Sequence, residues 1–459
     1  MQQVPFKGIK IKRFTRPQVR SDISDIEWNP SGKVSNVIGE AIEAYLPGAK
    51  LGTIVTIDVK GSKEIEAEVV GFKDDKVIML PFSNLTGISP GNAVYGSRSL
   101  CQLPVGDFLL GKVIDPMLND LNHGKLAIPE RPHYTQLDRT APNPMQRSRI
   151  HNKLNLGVRA IDGLLTFGEG QRIGIMAGSG VGKSVLLGMM ARGGSADVNV
   201  IGLIGERGRE VREFLERDLG PEGLKKSVVV VVTSDQSPLM RIRGAKMVTA
   251  IAEHFSDRGK KVLLMMDSLT RVAMAQREIG LAIGEPPTTK GYPPSVFSLL
   301  PKLLERCGPQ RDGAGSISGL YTVLVDGDDF NDPIPDAVRS ILDGHINLSR
   351  SLAARNHFPA IEITTSVSRV MNDIVDENHK ELASHIRSML GAYEEKADLI
   401  QIGGYQPGVD PMLDQAITLK GNIDNFLKQN QNDLSTEDST IDGMQNIFRI
   451  QSPQQFGGE

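Results

Sequence analysis

At 459 residues the chain is long for one domain and suits two or three, with length enough to bury a core without disulfides. A net charge of −3 argues against a globally nucleic-acid-binding protein. Cys101 and Cys307 lie far apart with no second Cys or His at ligand spacing, which argues against a disulfide framework or a zinc site and fits a reducing cytosol.

The first residues, MQQVPFKGIKIKRF, lack the apolar core of a signal peptide, and no stretch approaches the ~20 apolar residues of a membrane span. A soluble, cytoplasmic protein is expected. Residues 1–24 form a basic arm with Lys7, Lys10, Lys12, Arg13, Arg16 and Arg20. The arm reads either as a solvated tail or as a segment that docks on an acidic surface, an anionic membrane or a regulatory protein. From 25 to 97, short β-branched runs such as GTIVTIDV and EIEAEVVGF alternate with Gly turns, the pattern of a small all-β barrel. A Pro-rich linker with Pro129, Pro132, Pro142 and Pro144 follows.

Between 98 and 370 the pattern changes to apolar strands separated by helical stretches. Strands are expected at 172–177, 199–205, 227–234, 261–267 and 319–326, and their continuous apolar character predicts a mostly parallel sheet flanked by helices. Residues 371–430 carry helical spacing and read as a small helical domain. The polar end, 431–459, with QNQNDLSTEDST, reads as a flexible tail.

Ala177-Gly178-Ser179-Gly180-Val181-Gly182-Lys183-Ser184-Val185 leaves one of these strands and opens a helix. It fits a relaxed phosphate-binding loop, with Ala177 where the strict pattern has its first Gly. The glycines let successive N–H groups turn inward, Lys183 would reach the β and γ phosphates, and Ser184 would hold magnesium. Asp267 closes the run KVLLMMD and can reach the magnesium shell; Glu206 ends the neighbouring strand, where it could polarise a water or be an ordinary surface glutamate.

GVRAIDGLLTFGEGQRIGIMAGSGVGKSVLLGMMAR, GERGREVREFLE, GEPPTTKGYPPSVFSLLPKLLER and FPAIEITTSVSR together resemble the type III export ATPases, homologues of the catalytic subunit of rotary ATP synthases, over about residues 30 to 420. AGSGVGKSVLLGMM and GEPPTTKGY look like the flagellar branch. The resemblance implies an α/β protein with an N-terminal barrel, a RecA-like P-loop domain and a C-terminal helical domain. It implies ATP as substrate, Mg²⁺ as cofactor and Glu206 as catalytic carboxylate, with Arg207 and Glu210 nearby, Glu210 as a further metal-shell candidate. Arg369 falls where the family places an arginine that reaches into a neighbouring subunit's site. Phe358 falls where relatives carry an aromatic that packs on adenine, and Tyr405 is a second candidate; for both, loop or core packing is the plainer alternative.

Implied partners are copies of the chain itself in a homohexamer, an export regulator, a stalk protein, export-gate proteins, export substrates and their chaperones, at the inner-membrane base of a flagellum. No nucleic acid is expected. Three departures from the family stand out: Glu362 where relatives commonly have Asp, Pro116 in the turn GKVIDPMLNDLNHG where they have Gly, and an N-terminal arm that is short and irregular. Alternatives are an injectisome ATPase, an ATP synthase catalytic subunit and an RNA-translocating terminator. The barrel segment's lack of basic excess and scarcity of aromatics speak against the last of these.

Overall fold

The computed structural model describes residues 31–59, 64–96, 102–310, 314–325 and 332–449. The expected basic arm, Cys101, the last residue of the 319–326 strand and residues 450–459 lie outside them. In the first part of the chain, alternation of burial makes a closed barrel. Strands β1 (Ser31–Ile38), β2 (Ala41–Tyr45), β3 (Ile54–Ile57), β4 (Ile65–Lys73), β5 (Lys76–Pro81) and β6 (Ala93–Gly96) close in the order β1-β2-β5-β4-β3-β6. In β4, Ile65, Ala67 and Val69 point into the barrel while Glu66 faces water, the period of two that a strand with one buried face requires.

The linker is more ordered than its prolines suggest. Strands β7 (Gln102–Val105) and β11 (His133–Gln136) pair with each other, and β8 (Val113–Ile114), β9 (Asn119–Asp120) and β10 (Gly124–Lys125) extend the edge of the main sheet. The turn with Pro116 is closed by Asp115, whose Oδ1 accepts the backbone N–H of Met117 and of Asn119 at 2.9 Å, so it needs no glycine.

The main sheet adds β12 (Arg172–Ala177), β13 (Val198–Glu206), β14 (Ser227–Thr233), β15 (Lys261–Asp267), β16 (Gly308–Pro309), β17 (Ser316–Leu324), β18 (Gly344–Leu348) and β19 (Ile361–Ser368). Its order is β10-β9-β8-β14-β13-β15-β17-β12-β18-β19, with β16 paired to β17. Along that order all neighbours from β8 to β18 are parallel, while β16 pairs antiparallel to β17 and β19 runs antiparallel at the edge. The strands expected at 172–177 and 261–267 have those same ends.

Successive strand residues enter opposite cores, which explains the unbroken apolar runs. Val200, Val230, Leu264 and Met266 pack with the helices Pro238–Ser256, Leu269–Ala282 and Pro294–Leu304. Ile201, Val231, Leu263 and Met265 pack on the other face, with Lys183–Gly193 and with the C-terminal helices Glu377–Glu395 and Pro411–Leu427. Burial on both faces removes the need for alternation.

The C-terminal helices therefore share a core with the main sheet. The expectation of a flexible tail from 431 is corrected in part. Within that segment Glu437–Ile447 is a helix, started by a capping box between Thr436 and Ser439 and anchored by buried Met444 and Ile447. Its capping residues and apolar spacing outweigh the polar composition of the segment.

Candidate nucleotide site

Because β12, β13 and β15 are parallel, their C-terminal ends bring Ala177, Glu206 and Asp267 to one edge of the sheet. That edge is where open α/β sheets hold ligands. After Ala177 the chain turns through Gly180 (φ 79°) and Gly182 (φ 84°), left-handed conformations that a side chain would strain, and the helix Lys183–Gly193 begins. Its first-turn N–H groups and dipole suit an anion.

Lys183 Nζ lies 3.4 Å from Glu206 Oε1 and pairs with Asp267 Oδ1. Asp267, only 3 % exposed, also accepts a 2.6 Å hydrogen bond from Thr322 Oγ1 on β17. Burial alone would lower the Lys183 pKa, but the Asp267 and Glu206 carboxylates outweigh it and hold the ammonium above the ordinary lysine range. Glu206 is pushed up to about 7, first by burial and then by the Asp267 charge, with Lys183 opposing. Glu210 adds a hydrogen bond to Glu206, and the exposed Arg207 reaches Glu210 Oε1 at 3.4 Å. The carboxylate oxygens of buried Asp267 and half-buried Glu206 and the Ser184 hydroxyl at the helix start are hard donors, a set that fits a magnesium ion.

Beside the loop opens a cleft of about 970 Å³. Gly180, Gly182, Val185 and Met189 form its floor, Phe358 one wall, and residues 429–433 another. The Phe358 ring rests on Gly182, where an added Cβ would lie 3.3 Å from it, and the Phe358 carbonyl accepts the Gln429 N–H at 3.0 Å. Tyr405 is not brought here. Its hydroxyl donates to Asp414 at 2.8 Å, at the start of the helix Pro411–Leu427, whereas the cleft lies at the other end of that helix, about 25 Å away along its axis.

Arg369 is also separate from the loop in its own chain. Its N–H bonds to the Asp343 carbonyl at 3.0 Å, and Asp343 Oδ2 accepts the backbone N–H of Arg172, which starts β12. Lys183 follows the end of that strand, so roughly 20 Å of strand separates the two. The exposed Arg369 side chain donates to the Arg339 carbonyl at 3.4 Å.

Two contributors escape the sequence reading. Thr322, which steadies Asp267, is marked only as a hydroxyl within the apolar run GLYTVLVD; of the cleft wall at 429–433, residues 431–433 fall in the segment that reads as a flexible tail.

Models of known families match along most of the chain. The beta-barrel domain of the ATP synthase alpha/beta family matches 34–97, its nucleotide-binding domain matches 157–368, and the T3SS EscN ATPase C-terminal domain matches 375–446. The flagellum-specific ATP synthase of Bacillus subtilis is 52% identical over 400 residues, 87% of this chain and 90% of the relative. The assembled ATPase EscN of the enteropathogenic E. coli type III secretion system superposes with a TM-score of 0.84 at 47% identity, covering 91% of this chain and 99% of EscN. EscN in complex with its central stalk EscO superposes with a TM-score of 0.83 over the same shares at the same identity. The chain therefore belongs to the ATP synthase alpha/beta family, among the flagellum-specific ATP synthases and type III secretion ATPases.

Proposed function

We propose that this chain hydrolyses ATP with Mg²⁺ in a ring of identical copies and serves the flagellar type III export apparatus as its motor. The observation that carries this reading is the convergence of Lys183, Glu206 and Asp267 at the phosphate loop, with Arg369 exposed at the opposite edge of the sheet. The loop from Ala177 to Val185 holds the phosphates and Lys183 neutralises the β and γ oxygens. Ser184 and Asp267, with Glu210 further out, would hold a magnesium ion, which would supply charge neutralisation at the transferring phosphoryl group. Glu206 orients and polarises the attacking water, and Arg207 steadies Glu210 beside it. Phe358 packs on the adenine. Arg369 enters the neighbouring copy's site and neutralises charge building on the phosphoryl oxygens.

The name of the Bacillus subtilis relative supports the flagellar assignment, and EscN in complex with its stalk supports a stalk protein as partner. The reading extends to an export regulator, export-gate proteins, substrates and chaperones, and to a place at the cytoplasmic face of the inner membrane. No helix among the described residues is long and apolar enough to cross a membrane, which suits peripheral attachment. The likeness to EscN favours an injectisome as the second conduit for the same chemistry. Gel filtration with ATPase assays across protein concentration tests the ring: specific activity should climb as dilute protein assembles. A rate independent of concentration would overturn it.

A further inference from the structure

Gly178 does not adopt a left-handed backbone, unlike Gly180 and Gly182, so its torsions leave room for a side chain. A side chain there would have to displace a guanidinium. A Cβ added at Gly178 would lie 2.7 Å from both Nε and Nη2 of Arg350 and 3.1 Å from its Cζ. The guanidinium thus occupies the place of the missing side chain, at the first turn of the phosphate loop.

The sheet places it there. β18 runs parallel to β12 with Met176 opposite Asn347, so the residues that follow the two strands emerge side by side. Arg350 opens the short helix Arg350–Ala354 after β18, which Ser349 caps by accepting the Leu352 N–H at 3.4 Å. The connection then returns to place Phe358 against Gly182. One segment thus grips both ends of the loop, Arg350 at Gly178 and Phe358 at Gly182. Lys183 meets its carboxylates towards β13 and β15, whereas Arg350 comes from the β18 side.

We infer that Arg350 is a positioning residue for nucleotide binding: its guanidinium packs on the loop at Gly178 and fixes the peptide orientation on which the N–H cradle depends. A planar guanidinium suits this, because it lies flat on a peptide and sheds its hydration more readily than an ammonium. This inference rests on the nucleotide-site reading above. It goes beyond that reading by assigning a side chain that acts through the loop.

Calorimetric titration with Mg·ADP and steady-state ATPase rates test it, with wild-type protein first. Absence of both binding and turnover in the wild type would remove the nucleotide-site reading itself. Given a working wild type, Arg350→Ala should weaken ADP binding and raise KM about tenfold while kcat changes less than about threefold, the split expected of lost ground-state binding. Arg350→Lys, which keeps the charge without the planar fork, should resemble Arg350→Ala. Gly178→Ala should weaken binding alone yet add little to Arg350→Ala, because the evicted guanidinium is already gone. Arg350 is exposed, so thermal melts should match the wild type. Unchanged ADP affinity in Arg350→Ala, full rescue by lysine, or additive losses in the double variant would each overturn the inference.

Discussion

At the C-terminal edge of the main sheet, Glu206 and Asp267 share one ammonium, and the surplus of negative charge joins burial in pushing Glu206 up to about 7. At the N-terminal edge the charges are matched, because Arg147 as well as Arg172 faces Asp343 and Glu305. Arg172 meets Asp343 at 3.1 Å and Glu305 at 2.8 Å, and these two acids hold its guanidinium above the ordinary range despite burial. The same sheet thus carries a frustrated cluster at one edge and a satisfied one at the other. A satisfied network stabilises; a perturbed one in a cleft is where chemistry is expected. Arg369 sits beside the satisfied edge, exposed and roughly 20 Å of strand from the loop it would serve.

The strongest way to break this contrast is to remove one cation from each edge. If both act on charge at the transferring phosphoryl group as proposed, Lys183→Ala and Arg369→Ala should each lower the ATPase rate by about 10³ or more. Lys183→Ala should fail at the loop it occupies, and Arg369→Ala at the neighbour's. Mixing the two inactive chains should then restore some hydrolysis, because a mixed interface pairs an intact loop with an intact arginine. No recovery in mixtures shown by cross-linking to co-assemble would sink the shared site.

Glu206 sharpens the comparison through pH. Its Gln variant should bind Mg·ATP and turn it over about 10²-fold more slowly or worse. In the wild type, a carboxylate that titrates near 7 must be ionised to polarise water, so the rate should rise with pH across about 6 to 8. A flat profile over that range would remove Glu206 from the role.

How much of this is legible in the sequence depends on range. The phosphate loop reads plainly because its strand, turn and helix are contiguous, and Asp267 reads plainly because an acid that closes the apolar run KVLLMM stands out against its neighbours. The strands at 172–177 and 261–267 are legible for the same local reason. Arg350 is invisible to such reasoning: its contact with Gly178 spans the chain and depends on β18 lying next to β12, which no periodicity encodes. Tyr405 shows the converse failure, where an aromatic in a promising loop is carried away by the length of the helix that follows it. The polar composition of 431–459 misleads because capping at Thr436 and two buried side chains, Met444 and Ile447, suffice to fix a helix.

The satisfied edge makes the opposite prediction from the loop-bearing one. Arg172→Met should leave Asp343 and Glu305 without the cation that pairs with both and destabilise the fold by about 1–3 kcal/mol, the cost of leaving charged partners unpaired in a partly buried cluster. The kcat of the protein that remains folded should stay close to wild type. A large loss of kcat without a loss of stability would show that this edge, too, takes part in the chemistry.

The smallest effect concerns Glu362, whose position opposite Asn347 puts it towards the loop-bearing edge. Burial, then the charge and hydrogen bond of Glu394 on the helix Glu377–Glu395, push it up to about 7, and Thr364 Oγ1 donates to Glu394 at 2.7 Å. A carboxyl whose pKa is higher folded than unfolded binds more protons in the folded state between those two values. Its contribution to stability is therefore full below about pH 4.5 and is lost as pH rises through about 7. Glu362→Gln cannot ionise and escapes that loss. The variant should match wild type near pH 4.5 and exceed it at pH 8 by about 1 kcal/mol, once solvent screening of a partly exposed group is allowed for. Melts of both proteins across pH 4.5 to 8 check this. The difference between them is what counts, because Glu206 adds a similar slope to each. A difference that does not change with pH would mean that Glu362 and Glu394 do not share a proton, and would leave the perturbation at the loop-bearing edge to Glu206.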